Sequence, residues 1–579
     1  MKKALLLVMA MCAFHAPAHA QSTPNWRQNY VPSVKEWEDW WSRKMDARNG
    51  SLTSPYIAGG IMTGTDAGGA LVTPSGIANT VVRSLRAKLG DFLTTADFGA
   101  KCDGTSDDTT PIQNGLTALA GTGVALQVRG ICVAGALTVP SGTRLVGSNQ
   151  GAVLKVSAAS PAYMLVLADN ASDVTIEGIT FDGTYMPVGV QGALINSPAS
   201  ASITNIHIEN NHFTNIPTTG GQVSHATVMN GVDGLFISGN VVDQSSGDAI
   251  NVNGGYAMVT HNRVSNAGDG CIAFNNGARG SISDNVLTKC NLGIGAGPEG
   301  ETTDTDIAQN ISITANTFDT CQYGVNMGDY GYAGRSGPVN WQITGNTFRD
   351  TENVGIEYDI NPAAPINGTI TGNTFYGTGS TNYDGTAYAN AHDIRINGGS
   401  NINIVGNSFM SPKGTANTQT AVKVYNSTSY NISNNTIYDP AGGHYIYTLY
   451  SSYSTNGTIN GNTITNAGTG ILFDGAQGMY YSTASNNVMI GMATNGIEVV
   501  TEAYFSVMMG NVMSVNSAGT GILLPSKGLM FSVVGNVITM GSGTAITPAP
   551  SSGWTDVTIY ANTPGGSTVP AAIINGVTQ

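Results

Sequence analysis

An asparagine followed two residues later by an apolar side chain recurs along more than half of the chain. Between about residues 205 and 536 the motif repeats mostly every ~22–31 residues, which is the range typical of solenoid proteins. The repeated asparagines are Asn211, Asn240, Asn262, Asn285, Asn316, Asn346, Asn373, Asn407, Asn435, Asn462, Asn487, Asn511 and Asn536. A repeat of this length cannot bury its apolar side alone, so it must stack on its neighbours.

Each repeat carries two short β patterns. One flanks the turn at Gly345-Asn346, and the other is a strand of alternating polarity such as residues 356–359. Stacking the repeats ~4.8 Å apart pairs the backbone groups of successive coils. Asparagine tolerates the left-handed turn conformation, and its side-chain amide can bond to backbone or to the asparagine one coil away. We therefore predict an all-β fold, a right-handed parallel β-helix over residues 91–552 with a C-terminal cap strand at 553–579.

Composition agrees with a solenoid and restricts the partners. Charged residues make up only 10% of the chain, whereas apolar residues reach 41%, which excludes disorder. A net charge of −14 argues against nucleic acid as a partner. The same charge repels a polyanionic glycan unless a local basic strip or a bound cation intervenes.

The first ninety residues predict export and a separate N-terminal segment. Residues 1–20 combine two lysines, an apolar run and Ala18-His19-Ala20, which is the pattern of a secretory signal cleaved after Ala20. Neither this run nor any later stretch is long enough to span a membrane, so we expect a secreted or periplasmic protein. Residues 21–90 are expected to hold a short helix and a Gly/Thr-rich linker. The helix, residues 34–48, either packs on the solenoid or serves as an oligomerisation or docking helix.

Five of the six cysteines remain after removal of a signal that contains Cys12. Cys102 and Cys132 lie in one region and are expected to form a disulfide in an oxidising compartment. Cys290 and Cys321 each follow a repeated asparagine by five residues, so they are expected on successive coils, either paired or as buried thiols. No Cys/His spacing resembles a zinc site.

Residues 95–113 contain Asp97-Phe98-Gly99-Ala100, Asp103-Gly104, Asp107-Asp108-Thr109 and Ile112-Gln113. This series resembles the start of the pectate-lyase-superfamily β-helices, which include rhamnogalacturonase-like and epimerase-like proteins and many phage tail spikes. The resemblance implies the fold and its N-terminal cap. It does not specify the chemistry, because the family contains lyases, hydrolases and non-catalytic members.

The same stretch also predicts a helix on physical grounds. Asp108 or a following threonine can cap it, and Pro111 suits its first turn. Ile112, Leu116 and Leu119 are then expected to face the core. The acidic residues of this stretch are therefore expected to be structural.

Aligning the second strand of each coil by its inward apolar pair predicts two outward columns. The first is Asn251, Ala273, Gly293, Asn326, Glu357, Arg395, Lys423 and Tyr447, and the second is Asn253, Asn275, Gly295, Gly328, Asp359, Asn397 and Tyr425. In a chain so poor in charge, Glu357, Asp359, Arg395 and Lys423 converge on three successive coils. We take them as candidate catalytic residues, against the alternative of an ordinary salt-bridged surface.

The longest insertions fall beside these coils. They span residues 298–306, 328–337, 361–366 and 376–393. They are expected to wall a groove in which tyrosines such as Tyr330 and Tyr383 offer stacking faces for sugars.

Two chemistries fit such a groove. In a glycoside hydrolase two carboxylates flank the scissile bond, and Glu357 and Asp359 would have α-carbons roughly 6.5–7 Å apart, with Asp329 able to replace either. In a lyase, Arg395 or Lys423 would act as the base or as the clamp for a uronic carboxylate. A Ca²⁺ ion is a possible cofactor there. Its candidate oxygen ligands, in a loop that lacks an EF-hand pattern and can equally be a solvated acidic loop, are Glu299, Glu301, Asp304 and Asp306.

A second candidate lies upstream. Residues 268–274, Gly-Asp-Gly-Cys-Ile-Ala-Phe, partly resemble the Asp-Asp-Cys-Ile-Ala stretch of polygalacturonase-type hydrolases, but Gly270 stands where that family has its second aspartate. The later Gly-His-Gly and Arg-Ile-Lys motifs of that family are not found. Asp248 occupies a similar strand entry one coil earlier, so Asp248 and Asp269 are either a carboxylate pair across two coils or turn-capping residues. Among the histidines, His392 is the general-base candidate.

These features predict an exported polysaccharide-degrading enzyme, a lyase or a glycoside hydrolase. One alternative is a non-catalytic glycan-binding or adhesin solenoid. Another is a phage-tail-derived depolymerase, for which we would expect a homotrimer.

Overall fold

A computed structural model describes residues 71–72, 83–84 and most of 93–578. The gaps within the last range are 149–150, 160, 189–190, 200–201, 219–223, 298–307, 329–336, 360–364, 380–390, 414–417, 476–477, 517, 526, 548–552, 561, 566–572 and 575–576. The predicted signal and the predicted helix at 34–48 lie outside the described residues. The chain forms two compact units, 1–86 and 87–579. In the first, Leu71–Val72 pairs antiparallel with Arg83–Ser84.

The second unit begins with a cap. Strand Leu93–Thr94 leads into a 3-10 helix at Thr95–Phe98, and an α-helix follows at Thr109–Leu119. Ile112, Leu116 and Leu119 are buried, as predicted. This is the only α-helix in the described part of the chain, and no helix there is long and apolar enough to cross a membrane.

Asp108 is the N-cap residue of this helix, but its carboxylate does not cap the helix. It accepts hydrogen bonds from the backbone N–H groups of Lys101 at 2.7 Å, Cys102 at 3.1 Å and Val133 at 3.3 Å. The buried acid therefore holds the cap onto the first coils, which is the structural role expected for this stretch.

The coils that follow form three parallel sheets along the solenoid. Sheet 1, the sheet that carries the candidate site, consists of Leu137–Val139, Tyr163–Leu167, Gly192–Asn196, Ser224–Asn230, Ile250–Asn253, Gly270–Asn275, Leu292–Gly297, Tyr323–Gly328, Val354–Asp359, His392–Asn397, Gln419–Tyr425, Tyr445–Ser452, Thr469–Asp474, Asn495–Val499, Thr520–Leu523 and Thr544–Thr547.

Sheet 2 contains Leu93–Thr94, Ala125–Val128, Arg144–Gly147, Ser172–Glu177, Thr204–Glu209, Asp233–Ser238, Tyr256–Thr260, Arg279–Ser283, Ile311–Thr314, Gln342–Thr344, Pro365–Thr371, Ser400–Val405, Thr428–Ser433, Thr458–Asn460, Thr483–Ser485, Val507–Met509, Ser532–Val534 and Thr558–Tyr560. Sheet 3 contains Asp103–Asp107, Ile131–Ala134, Val153–Val156, Thr180–Asp182, His212–Thr214, Val241–Val242, Arg263–Ser265, Val286–Thr288, Thr317–Asp319, Thr347–Arg349, Thr374–Tyr376, Ser408–Met410, Thr436–Tyr438, Thr463–Thr465, Val488–Met492, Val512–Val515, Val537–Met540 and Thr563–Gly565. A smaller sheet joins Met479–Tyr480, Glu502–Tyr504, Lys527–Leu529 and Gly553–Thr555.

The solenoid extends past the predicted boundary at residue 552. Gly553–Thr555, Thr558–Tyr560 and Thr563–Gly565 each continue a parallel sheet, so they form another coil. The chain reverses direction only after this coil, where Ile573–Ile574 pairs antiparallel with Thr558–Tyr560 and with Val577–Thr578. This antiparallel end covers part of the last coil.

The repeated asparagines form the predicted ladder inside the solenoid, and all of them are buried. The Oδ1 atom of Asn346 accepts from the backbone N–H of Asn316 at 2.8 Å and from its Nδ2 at 3.1 Å. Asn346 in turn donates from Nδ2 to the carbonyl oxygen of Ile313 at 2.9 Å. The pattern continues one coil beyond the sequence motif, to Asn562. Each side chain thus satisfies backbone groups that the turn leaves unpaired.

One detail of this prediction was wrong, because the ladder asparagines are not the left-handed residues. Positive φ angles occur at the residue before each of them, for example 55° at Asn434 and 66° at Gly345. A left-handed residue there turns the chain so that the next side chain points inward.

A stack of phenylalanines fills the core beneath the candidate site. The ring centroids of Phe318 and Phe348 are 4.6 Å apart, and those of Phe348 and Phe375 are also 4.6 Å apart. Glycines on the facing sheet 1 strands make room for the rings: a Cβ on Gly293 would lie 2.5 Å from Phe318, and one on Gly324 2.5 Å from Phe348. Gly293 therefore points inward, and its predicted place in the first outward column was wrong.

The predicted disulfide between Cys102 and Cys132 is present. For Cys290 and Cys321 the paired alternative was wrong, because Cys290 bonds to Cys271 on the preceding coil. The alternative of a buried thiol holds for Cys321 only. Cys321 is a buried free thiol, and burial raises its pKa to about 12.

Candidate functional site

The candidate site lies on the outward face of sheet 1. Strand pairing aligns Asn326, Glu357, Arg395 and Lys423 across four consecutive strands. A second column, two residues further along each strand, contains Asp359, Asn397 and Tyr425. The predicted charged residues are therefore neighbours on three successive coils.

The register differs from the predicted one at both ends of the first column. Gly295, not Gly293, lies opposite Asn326, because the inward pair of that strand is Ile294 and Ala296. In the second column Gly297 replaces Gly295 beside Asn275.

At the other end Tyr450, not Tyr447, lies beside Lys423. The register shifts between Gln419 and Thr420, so one extra residue enters the strand Tyr445–Ser452. Such a bulge moves every later side chain along the column.

A guanidinium links the two carboxylates. Arg395 Nη1 lies 2.9 Å from Glu357 Oε1, and Arg395 Nη2 lies 3.3 Å from Asp359 Oδ2. Neighbouring amides hold the remaining oxygens, because Asn326 Nδ2 donates to Glu357 at 3.1 Å and Asn397 Nδ2 donates to Asp359 at 2.6 Å. The acids are therefore held in defined orientations.

The two carboxylates sit in different environments. Glu357 is only 5% exposed, whereas the side chain of Asp359 is 43% exposed. Burial raises the pKa of Glu357 to about 7, although Arg395 acts in the opposite direction. Glu357 can thus keep its proton near neutral pH and donate it, which suits a general acid.

Lys423 completes the column as a half-buried cation. Its Nζ lies 5.2 Å from the centroid of the Tyr450 ring, and it has no ion-pair partner among the described residues. Burial, followed by the charge of Arg395, lowers its pKa. Lys423 can therefore act as a cation that receives an anionic group, or as an amine that accepts a proton.

His392 lies in a third outward column, between Val354 and Thr420. It is buried, and its pKa falls to about 3 through burial and the charges of Lys423 and Arg395. Its Nδ1 has no hydrogen-bond partner in the described part of the chain. The imidazole is therefore neutral at physiological pH.

Asp393, the next residue, points into the core instead. Its carboxylate accepts hydrogen bonds from the hydroxyls of Thr378 and Tyr445, the latter at 2.6 Å. Burial raises the pKa of Asp393 to about 7. This buried acid lies directly behind the charged columns.

Tyrosines beside Lys423 extend the site, and the sequence alignment missed most of them. The rings of Tyr447 and Tyr450 are 5.4 Å apart, and those of Tyr425 and Tyr453 meet edge to face at 5.7 Å. The Tyr450 hydroxyl donates to Asp474 at 3.1 Å. Only Tyr425 was predicted in its observed column.

Asp248 and Asp269 are not brought to this site. Asp248 is buried and accepts from the backbone N–H of Gly270 at 2.8 Å and from Asn251 Nδ2 at 2.8 Å. A Cβ on Gly270 would clash with its Oδ1, so an aspartate at 270 would displace the Asp248 carboxylate. Half-buried Asp269 accepts from Leu292 through its backbone carbonyl at 3.0 Å. Asp248 therefore bonds to the next coil through Gly270 and to its own strand through Asn251.

Several predicted site residues lie outside the described residues. They are Asp329, the four candidate Ca²⁺ ligands Glu299, Glu301, Asp304 and Asp306, and most of the four insertions. Within the described part, one cluster has the ligand types of a metal site, Cys102, Asp108 and Cys132. Its thiols form a disulfide, so this cluster does not suit a metal.

Comparison with solved structures finds matches of low sequence identity. A family 28 exopolygalacturonase of Yersinia enterocolitica shares 14% identity over 66% of this chain and 80% of its own, with a TM-score of 0.47. A tailspike protein mutant of E. coli bacteriophage HK620, solved in complex with a pentasaccharide, shares 12% identity over 86% of this chain and 85% of its own, with a TM-score of 0.43. Gene product 12 of bacteriophage phi29 shares 13% identity over 82% of this chain and 72% of its own, with a TM-score of 0.46. Similarities of this size carry no assignment of activity.

Comparison with curated protein sequences finds no match. A family profile described as "Right handed beta helix region" matches residues 191–359 and 392–563, which together exceed half of the chain. The two matched ranges end and begin at the strands that carry Asp359 and His392. The chain therefore belongs to the right-handed β-helix family.

Proposed function

We propose that this chain is an exported enzyme that cleaves a polysaccharide on the outward face of sheet 1. The observation that carries the proposal is the column of Glu357, Arg395 and Lys423, in which a buried acid lies beside two cations and a group of tyrosines. Tyrosine rings offer apolar faces to sugars, and the charged groups supply acid–base chemistry. The chain between Asp359 and His392 joins two strands of this column and forms one coil through Pro365–Thr371 and Thr374–Tyr376.

Glycoside hydrolysis is the leading reaction. It requires one carboxyl group that is protonated at the working pH and a second that is ionised. The raised pKa of Glu357 suits the acid, and the more exposed Asp359 is placed to activate water or to attack the sugar. Arg395 would then hold both groups and would lose part of its pairing when a substrate enters.

β-Elimination is the second candidate, and Lys423 favours it. A lyase needs a base near the proton next to a uronic carboxylate and a cation to neutralise that carboxylate. The pKa of Lys423 is lowered, so a larger fraction of it is a free amine, and Arg395 is placed to act as the clamp.

The test is incubation of the mature protein with a panel of acidic and neutral exopolysaccharides, with and without a chelator. New reducing ends without ultraviolet absorbance would support a hydrolase, and reducing ends with the absorbance of unsaturated uronic products would support a lyase. Loss of activity in the presence of the chelator would support a Ca²⁺ requirement. Binding without any product would refute cleavage and support the glycan-binding adhesin.

Matched variants locate the reaction. Glu357→Gln should abolish most of the activity of a hydrolase, and Lys423→Ala most of that of a lyase. Glu209→Gln is the control, because Glu209 pairs with His207 on sheet 2, several coils away. Equal losses in the control and in Glu357→Gln would exclude the proposed site.

Export is part of the proposal. Two disulfides, Cys102–Cys132 and Cys271–Cys290, suit an oxidising compartment. N-terminal sequencing of the protein recovered from periplasm or medium should begin at Gln21. Full-length protein retained in the cytoplasm with reduced cysteines would contradict export.

A further inference from the structure

One turn position of the solenoid changes from polar to apolar or aromatic residues near the C-terminal end. Strand pairs and bridges align it through successive coils, and every residue there has a φ angle between 46° and 60°. In chain order the aligned residues are Asn310, Asn340, Asn367, Asn401, Ser429, Asn456, Tyr481, Phe505, Met530 and Asp556. The position is polar in every one of these coils except three consecutive ones.

Asparagine suits this position for two reasons. It adopts the left-handed conformation at low cost, and its amide bonds to the next asparagine, as from Asn367 to Asn340 at 2.9 Å and from Asn401 to Asn367 at 3.1 Å. Bulky apolar residues are disfavoured in the same conformation. The fold therefore does not require Tyr481, Phe505 or Met530.

These three residues are also exposed. Tyr481 is 56% exposed, Phe505 41% and Met530 52%. The residue before each of them is also large and apolar or aromatic, which makes a patch two residues wide and three coils long. We call this patch the aromatic step, and its members are Tyr480, Tyr481, Tyr504, Phe505, Leu529 and Met530.

The rings of the aromatic step are ordered along the solenoid. Tyr481 and Phe505 stack with centroids 5.0 Å apart and planes 4° from parallel. Tyr480 and Tyr504 are 4.6 Å apart. Phe505 covers one face of Tyr481, so its other face is turned toward the coil of Asn456, an exposed residue with a shorter side chain.

The charges beside Tyr480 are paired within the chain. Lys527 Nζ lies 3.4 Å from Glu502 Oε1, and the Tyr480 hydroxyl donates to the other oxygen of Glu502 at 3.2 Å. Asp556, exposed beside Met530 on the next coil, adds a negative charge that would repel an anion. The patch therefore favours an uncharged partner.

The exposed area of the patch indicates whether it binds a small ligand or a second copy of the chain. A stable protein interface needs about 800 Å² from each partner. Six side chains of roughly 150–250 Å² each, about half exposed or less, offer only about 500 Å². Three coils at ~4.8 Å span a length of roughly 15 Å, which fits a short run of linked sugars.

We propose that the aromatic step binds a neutral segment of a linear glycan. One sugar ring would lie with its apolar face on the open face of Tyr481, and the amide of Asn456 would meet the hydroxyls at its edge. The adjoining sugars would follow Phe505 and Met530 along the axis. This site shares no residue with the charged columns, so it stands independently of the proposed cleavage.

The chain itself supplies the variant that tests the proposal. Replacing the three residues with the asparagine found elsewhere at this position gives the triple variant Y481N/F505N/M530N. Binding is measured on an array of neutral linear glucans, mannans, xylans and galactans, and then by calorimetry with the oligosaccharide that binds best. We expect the triple variant to bind at least about tenfold more weakly. Its melting temperature should be unchanged or higher, because asparagine tolerates the left-handed conformation.

Tyr438→Thr is the matched control, since Tyr438 is an exposed tyrosine on sheet 3 whose neighbour in the next coil is Thr465. It should leave binding unchanged. Absence of binding to every neutral glycan, or equal binding by the triple variant, would overturn the proposal. So would a dimer in sedimentation that the triple variant converts to monomer, because the patch would then join two copies. The binding measurement does not depend on cleavage, so it remains a valid test even if the protein cleaves no glycan.

Discussion

Arg395 Nη1 lies 2.9 Å from Glu357 Oε1 on the neighbouring strand of sheet 1, yet Glu357 keeps a raised pKa. The reason is that burial penalises the charged carboxylate more than the partly exposed guanidinium stabilises it. The pair is therefore both an ion pair and a source of a proton near neutral pH.

The first prediction concerns the pH dependence of cleavage. A general acid must be protonated, and the folded pKa of Glu357 is about 7. For a hydrolase, kcat should therefore fall as the pH rises through about 7. Glu357→Gln should lower kcat by about 10²–10⁴-fold, and the remaining activity should no longer fall as the pH rises through about 7. Reducing-end assays from pH 4 to about 9 check it, and a rate that rises across this range would assign the acid to another residue.

The second prediction concerns stability and Asp393. Its pKa is 3.8 in the reference state and about 7 when folded, so folding favours the protonated form. The stability it contributes is fully present below about pH 4 and is lost as the pH rises through about 7. The loss in the free energy of unfolding is on the order of a few kcal/mol. Asp393→Asn cannot ionise and should reduce the fall of the melting temperature between pH 5 and 8, while the part that comes from Glu357 remains. The exposed Asp233→Asn is the control, and parallel curves for Asp393→Asn and the unaltered protein would contradict the assignment.

The third prediction concerns the asparagine ladder. Asn346→Ala removes the acceptor for Asn316 and the donor to the carbonyl of Ile313, all in the buried interior. Each unsatisfied buried group costs about 1–3 kcal/mol, so we expect a loss of at least about 2 kcal/mol in denaturant unfolding. Asn403→Ala, on the exposed face of sheet 2, should change stability by less than about 0.5 kcal/mol. Equal effects of the two variants would show that the ladder adds nothing specific.

The fourth prediction is a thiol count. Four cysteines form disulfides and Cys321 is buried, with burial raising its pKa to about 12. The folded mature protein should give no reaction with a thiol reagent, and the denatured, unreduced protein should give one equivalent. Peptide mapping should place that label on Cys321. A label on Cys271 would support the pairing of Cys290 with Cys321 instead.

The fold was predictable because its signals are local and repeated. Each coil places an asparagine at the same buried turn, and the repetition let one pattern predict the ladder, the parallel pairing and the inward pairs of sheet 1. The N-terminal helix core of Ile112, Leu116 and Leu119 followed from ordinary helical spacing. Small departures were not predictable, as Gly293 shows: a glycine between two apolar residues has no polarity to reveal which way it faces.

The amino-acid sequence by itself determined a right-handed solenoid, the place of its charged residues on three successive coils and the pairing of Cys102 with Cys132. Only the tertiary structure decided that Arg395 joins Glu357 to Asp359, that Tyr450 rather than Tyr447 adjoins Lys423, and that Tyr481, Phe505 and Met530 form one exposed step. The reason is register: a single extra residue in a strand or turn shifts every contact across coils, and contacts between coils depend on three-dimensional stacking that a linear pattern does not encode.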